Sequence, residues 1–350
     1  MYRAKCVVDD LAPASNERIK TSGDYMLRRK QHAIYRKPQP LQLTCQNKVI
    51  KSSPSFDLLL NYAKGKNNSC ACPVIVIPDQ IAIGNYVQTN VAYACMWDYR
   101  SGKLVDITFQ RTPGYFQTFL YGVSSVTQTI VGNQFNGGTP RPSIWNCQTG
   151  LLKNVTLQPP DNIGSPFLLS NISSNGKYMV GIFFITQFSG NGVIWNAVTG
   201  DVIERVLGGI NDFTCVTNDG IVGGALNNNG RLWNGLTGEL LATVFEPLVL
   251  GDFTTVLSIS KDGQFIVGTS YSLVDTHFVV WDSSGQLLPV QMENSLQQIM
   301  QLRCISSDGL TIAGLLGDTI CTWDRATGQL LPVKFEKPKN ATNAAINGLS

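Results

Sequence analysis

The sequence predicts an all-β chain built from six repeats of a four-stranded antiparallel unit, behind a basic, partly helical N-terminal arm. Three observations predict it. All six tryptophans share one local pattern: MWDYRSGKLV at Trp97, IWNCQTGLL at Trp145, IWNAVTGDV at Trp195, LWNGLTGEL at Trp233, VWDSSGQLL at Trp281 and TWDRATGQLL at Trp323. An apolar pair ending in glycine precedes each, at Gly84, Gly132, Gly181, Gly223, Gly268 and Gly314, and four repeats carry a further N/D-G pair at Asn175, Asp219, Asp262 and Asp308. The runs between these signals, such as KYMVGIFFIT and QFIVGTSYSL, are short and rich in β-branched and aromatic residues, as strands are.

Each signal has a chemical reason. In W-[DN]-x-x-[ST]-G the Asp or Asn side chain accepts a backbone N–H two residues on, and the glycine supplies the positive φ that closes a short hairpin. The turn after Trp281 is one residue shorter, so its hairpin should differ. The N/D-G pairs predict two-residue reversals between the first and second strands. Each repeat therefore runs strand, tight turn, strand, loop, strand, tight turn, strand, with the tryptophan ending the third strand.

From Val74 to Lys334 the chain divides into six units of about 43 residues, within the 40 to 45 of a four-stranded propeller blade. On its Trp-Asp and Trp-Asn pairs, this region resembles the WD-repeat family of β-propellers. The resemblance implies a six-bladed β-propeller over 74–334, with 1–73 as the arm and 335–350 as a C-terminal tail. The chain departs from the family in lacking the Gly-His dipeptide that opens each repeat. With His32 and His277 alone, it cannot build the family's repeated His-Asp network.

Composition bounds the function. With 43% hydrophobic and 15% charged residues the chain is neither disordered nor a coiled coil. The net charge of +3 hides an asymmetry, because residues 1–70 carry 13 Lys/Arg against 5 Asp/Glu. Residues 21–37, TSGDYMLRRKQHAIYRK, begin with a capping box and stop before Pro38, which predicts a short amphipathic basic helix. A second helix is predicted from Ser53 with Pro54 at its first position. An arm of this sign seeks an anionic surface, and Arg28, Arg29, Lys30, Arg36 and Lys37 are its candidate partner-binding residues. The run SGDYMLRRKQHAIYRK, followed by a stretch ending in NYAKGKNN, is similar to N-terminal segments of structural proteins of large eukaryotic DNA viruses. That likeness implies a minor virion component whose arm anchors a propeller to its neighbours.

The start MYRAKCVVDDLAP has acids where a secretory h-region would run, and no apolar stretch reaches about 18 residues. Nine scattered cysteines read as core residues in a reducing compartment. The expected location is thus intracellular, cytoplasmic or within a virion, and the sequons at Asn67, Asn154, Asn171 and Asn340 are read as accidental.

The candidates for chemistry are few. Cys70-Ala-Cys72 has no matching pair to complete a zinc set, so no metal is expected. No phosphate-binding glycine loop occurs, so no cofactor is expected. Cys215 and Cys304 hold one register before their D-G turns and read as core residues. The chain is read as a non-catalytic interaction or structural module whose partners are other proteins in a large assembly. Asp212 and Asp252, each opening an Asp-Phe-Thr at the start of a channel-lining strand, carry the alternative of an enzyme or small-ligand site in the central channel. Nucleic acid bound through the arm is a second alternative, marked by steep salt dependence.

Propeller topology sends the loops between second and third strands, and those between blades, to one face. Both tight turns lie on the other. In the first two blades the loop face carries RTPGYFQTF and NQFNGGTPRP, so Arg111, Tyr115, Phe116, Phe135 and Arg141 are expected to gather there. Aromatic and arginine residues are the usual anchors of protein interfaces.

Overall fold

In the computed structural model of the chain, the described residues are 80–350, apart from 160–165, 187–188, 207–209, 274 and 295–299. The arm, with its two predicted helices and its five basic candidates, lies outside them. So does Cys70-Ala-Cys72. No helix occurs among the described residues.

The strands follow the repeats. They are β1 (Ile81–Gln88), β2 (Val91–Asp98), β3 (Gln117–Ser124), β4 (Thr129–Phe135), β5 (Pro140–Asn146), β6 (Phe167–Ile172), β7 (Tyr178–Thr186), β8 (Ser189–Asn196) and β9 (Val202–Val206). Then come β10 (Ile210–Val216), β11 (Ile221–Leu226), β12 (Asn229–Asn234), β13 (Phe253–Ile259), β14 (Phe265–Tyr271), β15 (Thr276–Asp282), β16 (Met300–Ile305), β17 (Thr311–Leu316), β18 (Thr319–Asp324) and β19 (Asn343–Leu349). They form six antiparallel sheets, β19-β1-β2, β3-β4-β5, β6-β7-β8-β9, β10-β11-β12, β13-β14-β15 and β16-β17-β18.

The first strand of each sheet touches that of the next: β3 meets β6, β6 meets β10, β10 meets β13, β13 meets β16, β16 meets β19 and β19 meets β3. This closed cycle of inner strands is the geometry of a β-propeller, and the sheets are its blades, numbered 1 to 6 in the order given. The segment 335–350, expected as a C-terminal tail beyond the propeller, is part of it, because β19 pairs antiparallel with β1 and supplies the inner strand of the first blade.

The tryptophans are fully buried between blades. Five of their indole N–H groups donate to the carbonyl of a Glu or Gln in the connection from the preceding blade: Trp97 to Glu336, Trp145 to Gln110, Trp195 to Gln158, Trp281 to Glu246 and Trp323 to Glu293, at 2.8–3.0 Å. The same residue's N–H donates to the carbonyl of the turn glycine, as Gln110 does to Gly150 at 2.7 Å.

One expectation is corrected. Blades of four strands were predicted, and among the described residues only β6-β7-β8-β9 has a full fourth strand. In the other five the fourth strand shrinks to one bridge, from the Trp to Leu104, Leu152, Leu240, Leu287 or Leu330. The backbone bonds of the fourth strand to the third run through the residues on either side of the leucine, as from Val105 N–H to the Met96 carbonyl, and the outward N–H of Leu104, Leu152, Leu287 and Leu330 is taken by the side chain of Glu336, Gln110, Glu246 or Glu293, respectively.

The turn chemistry after each Trp holds. Asp98 Oδ1 accepts the N–H of Arg100 at 3.0 Å, Asn146 that of Gln148 at 2.8 Å and Asn196 that of Val198 at 2.9 Å. Gly102, Gly150 and Gly200 follow at φ 71°, 67° and 81°. The shortened turn after Trp281 closes from Gly285 N–H to the Asp282 carbonyl, one residue tighter than its counterparts.

The N/D-G turns are longer than predicted. Ser173, Ser260 and Ser306 pair with Tyr178, Phe265 and Thr311, leaving four residues in each loop. The serine hydroxyl explains the length: Ser260 Oγ donates to Asp262 Oδ1 at 2.7 Å and accepts the Phe265 N–H at 3.1 Å, building a side-chain turn inside the backbone turn. Two-residue reversals occur instead between second and third strands, at Thr89-Asn90 and Asn227-Asn228, all with positive φ.

The recurring apolar-apolar-Gly is a packing requirement. Every inner strand carries a bulge in one register, at Leu120/Gly122, Leu169/Asn171, Phe213/Cys215, Val256/Ser258 and Leu302/Cys304, with its equivalent opposite Ile83/Gly84. The kinked strand drives a carbonyl against the neighbouring glycine. A Cβ on Gly84, Gly132, Gly181, Gly268 or Gly314 would lie 1.9–2.1 Å from that oxygen. In blade 4 the equivalent residue is Gly224, whose Cβ would stand 2.0 Å from the Asp212 carbonyl, and not the expected Gly223.

Candidate interaction face and channel

The loop face gathers the five candidates expected there. Arg111 Nη1 donates to the Phe116 carbonyl at 3.0 Å, and the Phe116 N–H donates to the Phe135 carbonyl at 3.1 Å. The Arg141 guanidinium stands 5.7 Å from the Tyr115 ring centroid. Phe135 meets Phe119 edge to face at 5.6 Å. Beneath them, Gln134 Oε1 accepts the Thr112 N–H at 2.8 Å, fixing the connection between blades 1 and 2 over the end of β4. Phe116 remains 43% exposed, and Arg141 is exposed.

Sequence reasoning missed the support under this cluster. Arg111 lies 4.4 Å over the ring of Tyr93, which itself stacks on Tyr86 at 5.2 Å. A cation stacked on a ring that is itself held by a second ring is oriented by that face and loses less freedom on meeting a partner. The signal was a Tyr on each side of the Thr89-Asn90 turn, where cross-strand partners share a face.

Asp212 and Asp252 lie on adjacent blades, at β10 and just before β13. Burial pushes the Asp212 carboxyl up to about 6, opposed by the N–H of Phe213. Asp252 is held differently, accepting the Ser270 hydroxyl at 3.1 Å. Tyr121 on β3 feels two charges from other blades, raised by burial and then by Asp212 and lowered by Arg303 on β16. Tyr121 and Arg303 are the bulge residues of their strands. The channel thus holds an acid, a phenol and a guanidinium from alternate blades, a set invisible until the ring brings β3, β10 and β16 together.

The channel is closed at the turn face. Ser174 and Ser307 hydroxyls meet at 2.9 Å across the axis, from blades 3 and 6. Neighbouring turns are tied as well, Asn175 to Asn218 at 2.7 and 3.0 Å, Asn218 to Lys261 at 3.2 Å and Lys261 to Ser307 at 3.1 Å. A cavity of about 40 Å³ remains above this seal, lined by residues of all six blades. On the loop side, a cleft of about 1220 Å³ runs from Arg303 and Leu257 to Phe278, Leu288 and Met292 of blade 5, with His277 at its wall.

Among the described residues, Cys95, Cys147, Cys215 and Cys304 are buried in the core and Cys321 is partly buried, and burial pushes the Cys215 thiol up to about 12. Asn171, one of the sequons, donates to the Thr214 carbonyl at 3.1 Å and staples blade 3 to blade 4. Among the described residues no cluster of metal-ligating side chains occurs, and no helix is long and apolar enough to cross a membrane.

No protein-family model and no curated protein matches the chain. Among solved structures it is similar to TolB from Acinetobacter baumannii, at 14% identity over 71% of this chain and 68% of that one, with a TM-score of 0.37. The Dos1 propeller aligns at 14% identity over 75% and 70%, with a TM-score of 0.38. Prolyl oligopeptidase B from Galerina marginata aligns at 10% identity over 76% of this chain and 40% of that one, with a TM-score of 0.47. Such likenesses concern the fold alone, and the propeller assignment rests on the closed cycle of inner strands.

Proposed function

We propose that the chain is a non-catalytic, six-bladed interaction module, which binds other proteins through its loop face within a large assembly such as a virus particle. The observation that carries this reading is the ordered cluster of Arg111, Tyr115, Phe116, Phe135 and Arg141. Side chains with this composition anchor interfaces, and here hydrogen bonds and ring stacking already hold them in place. The basic arm, with Arg28, Arg29, Lys30, Arg36 and Lys37, serves as tether. The test is cross-linking of the full chain in its source material, with and without Phe116→Ala and Arg141→Ala. Loss of neighbour cross-links to 111–116 and 133–141 is the expected result. Unchanged cross-links, or none on this face in the unsubstituted chain, overturn the reading.

A second reading, a small-ligand site in the channel, is favoured by the desolvated carboxyl of Asp212, which acts on Tyr121 together with Arg303. Asp252, bound to Ser270, is not among the groups that shift Asp212, so a paired-carboxylate site is not part of it.

A further inference from the structure

The loop face has a second pole. The connection into blade 5 and the neighbouring β14–β15 turn expose Leu250 and Leu273 almost completely, at 98% and 99%, beside Leu248, Val249 and Phe253. These residues are held firmly. Leu248 N–H donates to Ser270 Oγ at 2.9 Å, Ser270 Oγ donates to Asp252, and Asp252 N–H closes a turn on the Val249 carbonyl at 3.0 Å, with Gly251 at φ 96°. Across the turn, Asp275 N–H donates to Ser272 Oγ at 3.1 Å, and Phe253 packs on Tyr271 at 5.7 Å. Apolar side chains fixed in water at this density mark an interface.

The charges of the two poles are opposite. Neither 243–260 nor 269–278 contains a Lys or Arg, and the pole carries Asp252 and Asp275. Neither 109–119 nor 133–142 contains an Asp or Glu, and that pole carries Arg111 and Arg141. Their places are opposite too. In the cycle of inner strands, blades 1 and 2 are separated from blades 4 and 5 by β6 on one side and β16 on the other.

We propose that the loop face binds the loop face of a second copy, the leucine–aspartate pole of each protomer covering the arginine–aromatic pole of its partner. Two complementary poles on opposite sides of one face satisfy a two-fold axis perpendicular to the channel, and each contact is then made twice. Leucines meet aromatic rings, and carboxylates meet guanidinium groups already oriented by Tyr93 and Tyr115. The proposal rests on reading this face as the interaction face and names its partner.

Sedimentation velocity of the full chain at up to about 100 μM tests it. A dimer is expected, weakened about 100-fold or more by Leu250→Asp and by Arg141→Glu, since each substitution strikes both copies of its contact. Combining Arg141→Glu with Asp275→Arg should recover at least about tenfold of that loss. Leu250 and Arg141 are exposed, so the variants should keep their melting transitions. A monomer at the highest concentration, or a dimer indifferent to Leu250→Asp, overturns the proposal. A monomer that still cross-links another protein at 111–116 overturns only the self-pairing, and a monomer without neighbours on this face overturns the interaction reading as well.

Discussion

The indole Nε1 of Trp97 donates to the carbonyl of Glu336 at 2.8 Å, across 239 residues of sequence. Phe335 meets the same ring edge to face at 6.0 Å, and Glu336 Oε2 accepts the Leu104 N–H at 2.9 Å. These contacts lock the last connection of the chain onto its first blade. They repeat the contact that Phe109 and Gln110 make with Trp145 and Leu152 one blade on.

Trp97→Phe keeps most of the buried ring and deletes the donor, leaving the Glu336 carbonyl unpaired. It should cost about 1–3 kcal/mol in urea denaturation. A cost below about 0.5 kcal/mol would mean that water replaces the indole at the closure.

Gly132→Ala places a Cβ 2.0 Å from the Phe119 carbonyl, and backbone on a bulged strand cannot withdraw cheaply. A destabilisation of about 3 kcal/mol or more is expected. Gly138→Ala, with nothing within 4 Å, should stay within about 0.5 kcal/mol of the parent. Equal melting temperatures for the two variants would contradict the inner-strand geometry.

Asp212 titrates at about 6 when folded, against 3.8 ordinarily. The folded state therefore holds more protons than the unfolded one between these values, so stability falls as pH rises from about 4 to 6. Asp212→Asn removes the charged form and should raise stability at pH 7 by about 1–3 kcal/mol, a gain that vanishes below pH 4. A gain independent of pH would show that burial is not what holds the carboxyl up.

Local chemistry made much of the blade legible. The Trp-Asp and Trp-Asn turns could be read because an Asx side chain and a positive-φ glycine act within five residues. The serine that lengthens the N/D-G turn acts over the same range, and it was missed because a two-residue reversal is the shorter solution. The [FLM]-[EQ] pairs at Phe109-Gln110, Leu157-Gln158, Phe245-Glu246, Met292-Glu293 and Phe335-Glu336 were present as a repeat. They carry no turn or periodicity signal, and their partners lie in another blade.

Repeat spacing, strand alternation and turn residues decided the all-β fold, the antiparallel pairing within each repeat and the turns that follow the tryptophans, because each depends on contacts between near neighbours in the chain. Folding decided the rest. The pairing of β19 with β1, the seal of Ser174 on Ser307, the meeting of Asp212 and Arg303 at Tyr121 and the two poles of the loop face all join residues that lie far apart in the chain. Their proximity is a property of the closed ring, where a contact is set by the angle between blades and not by distance along the chain.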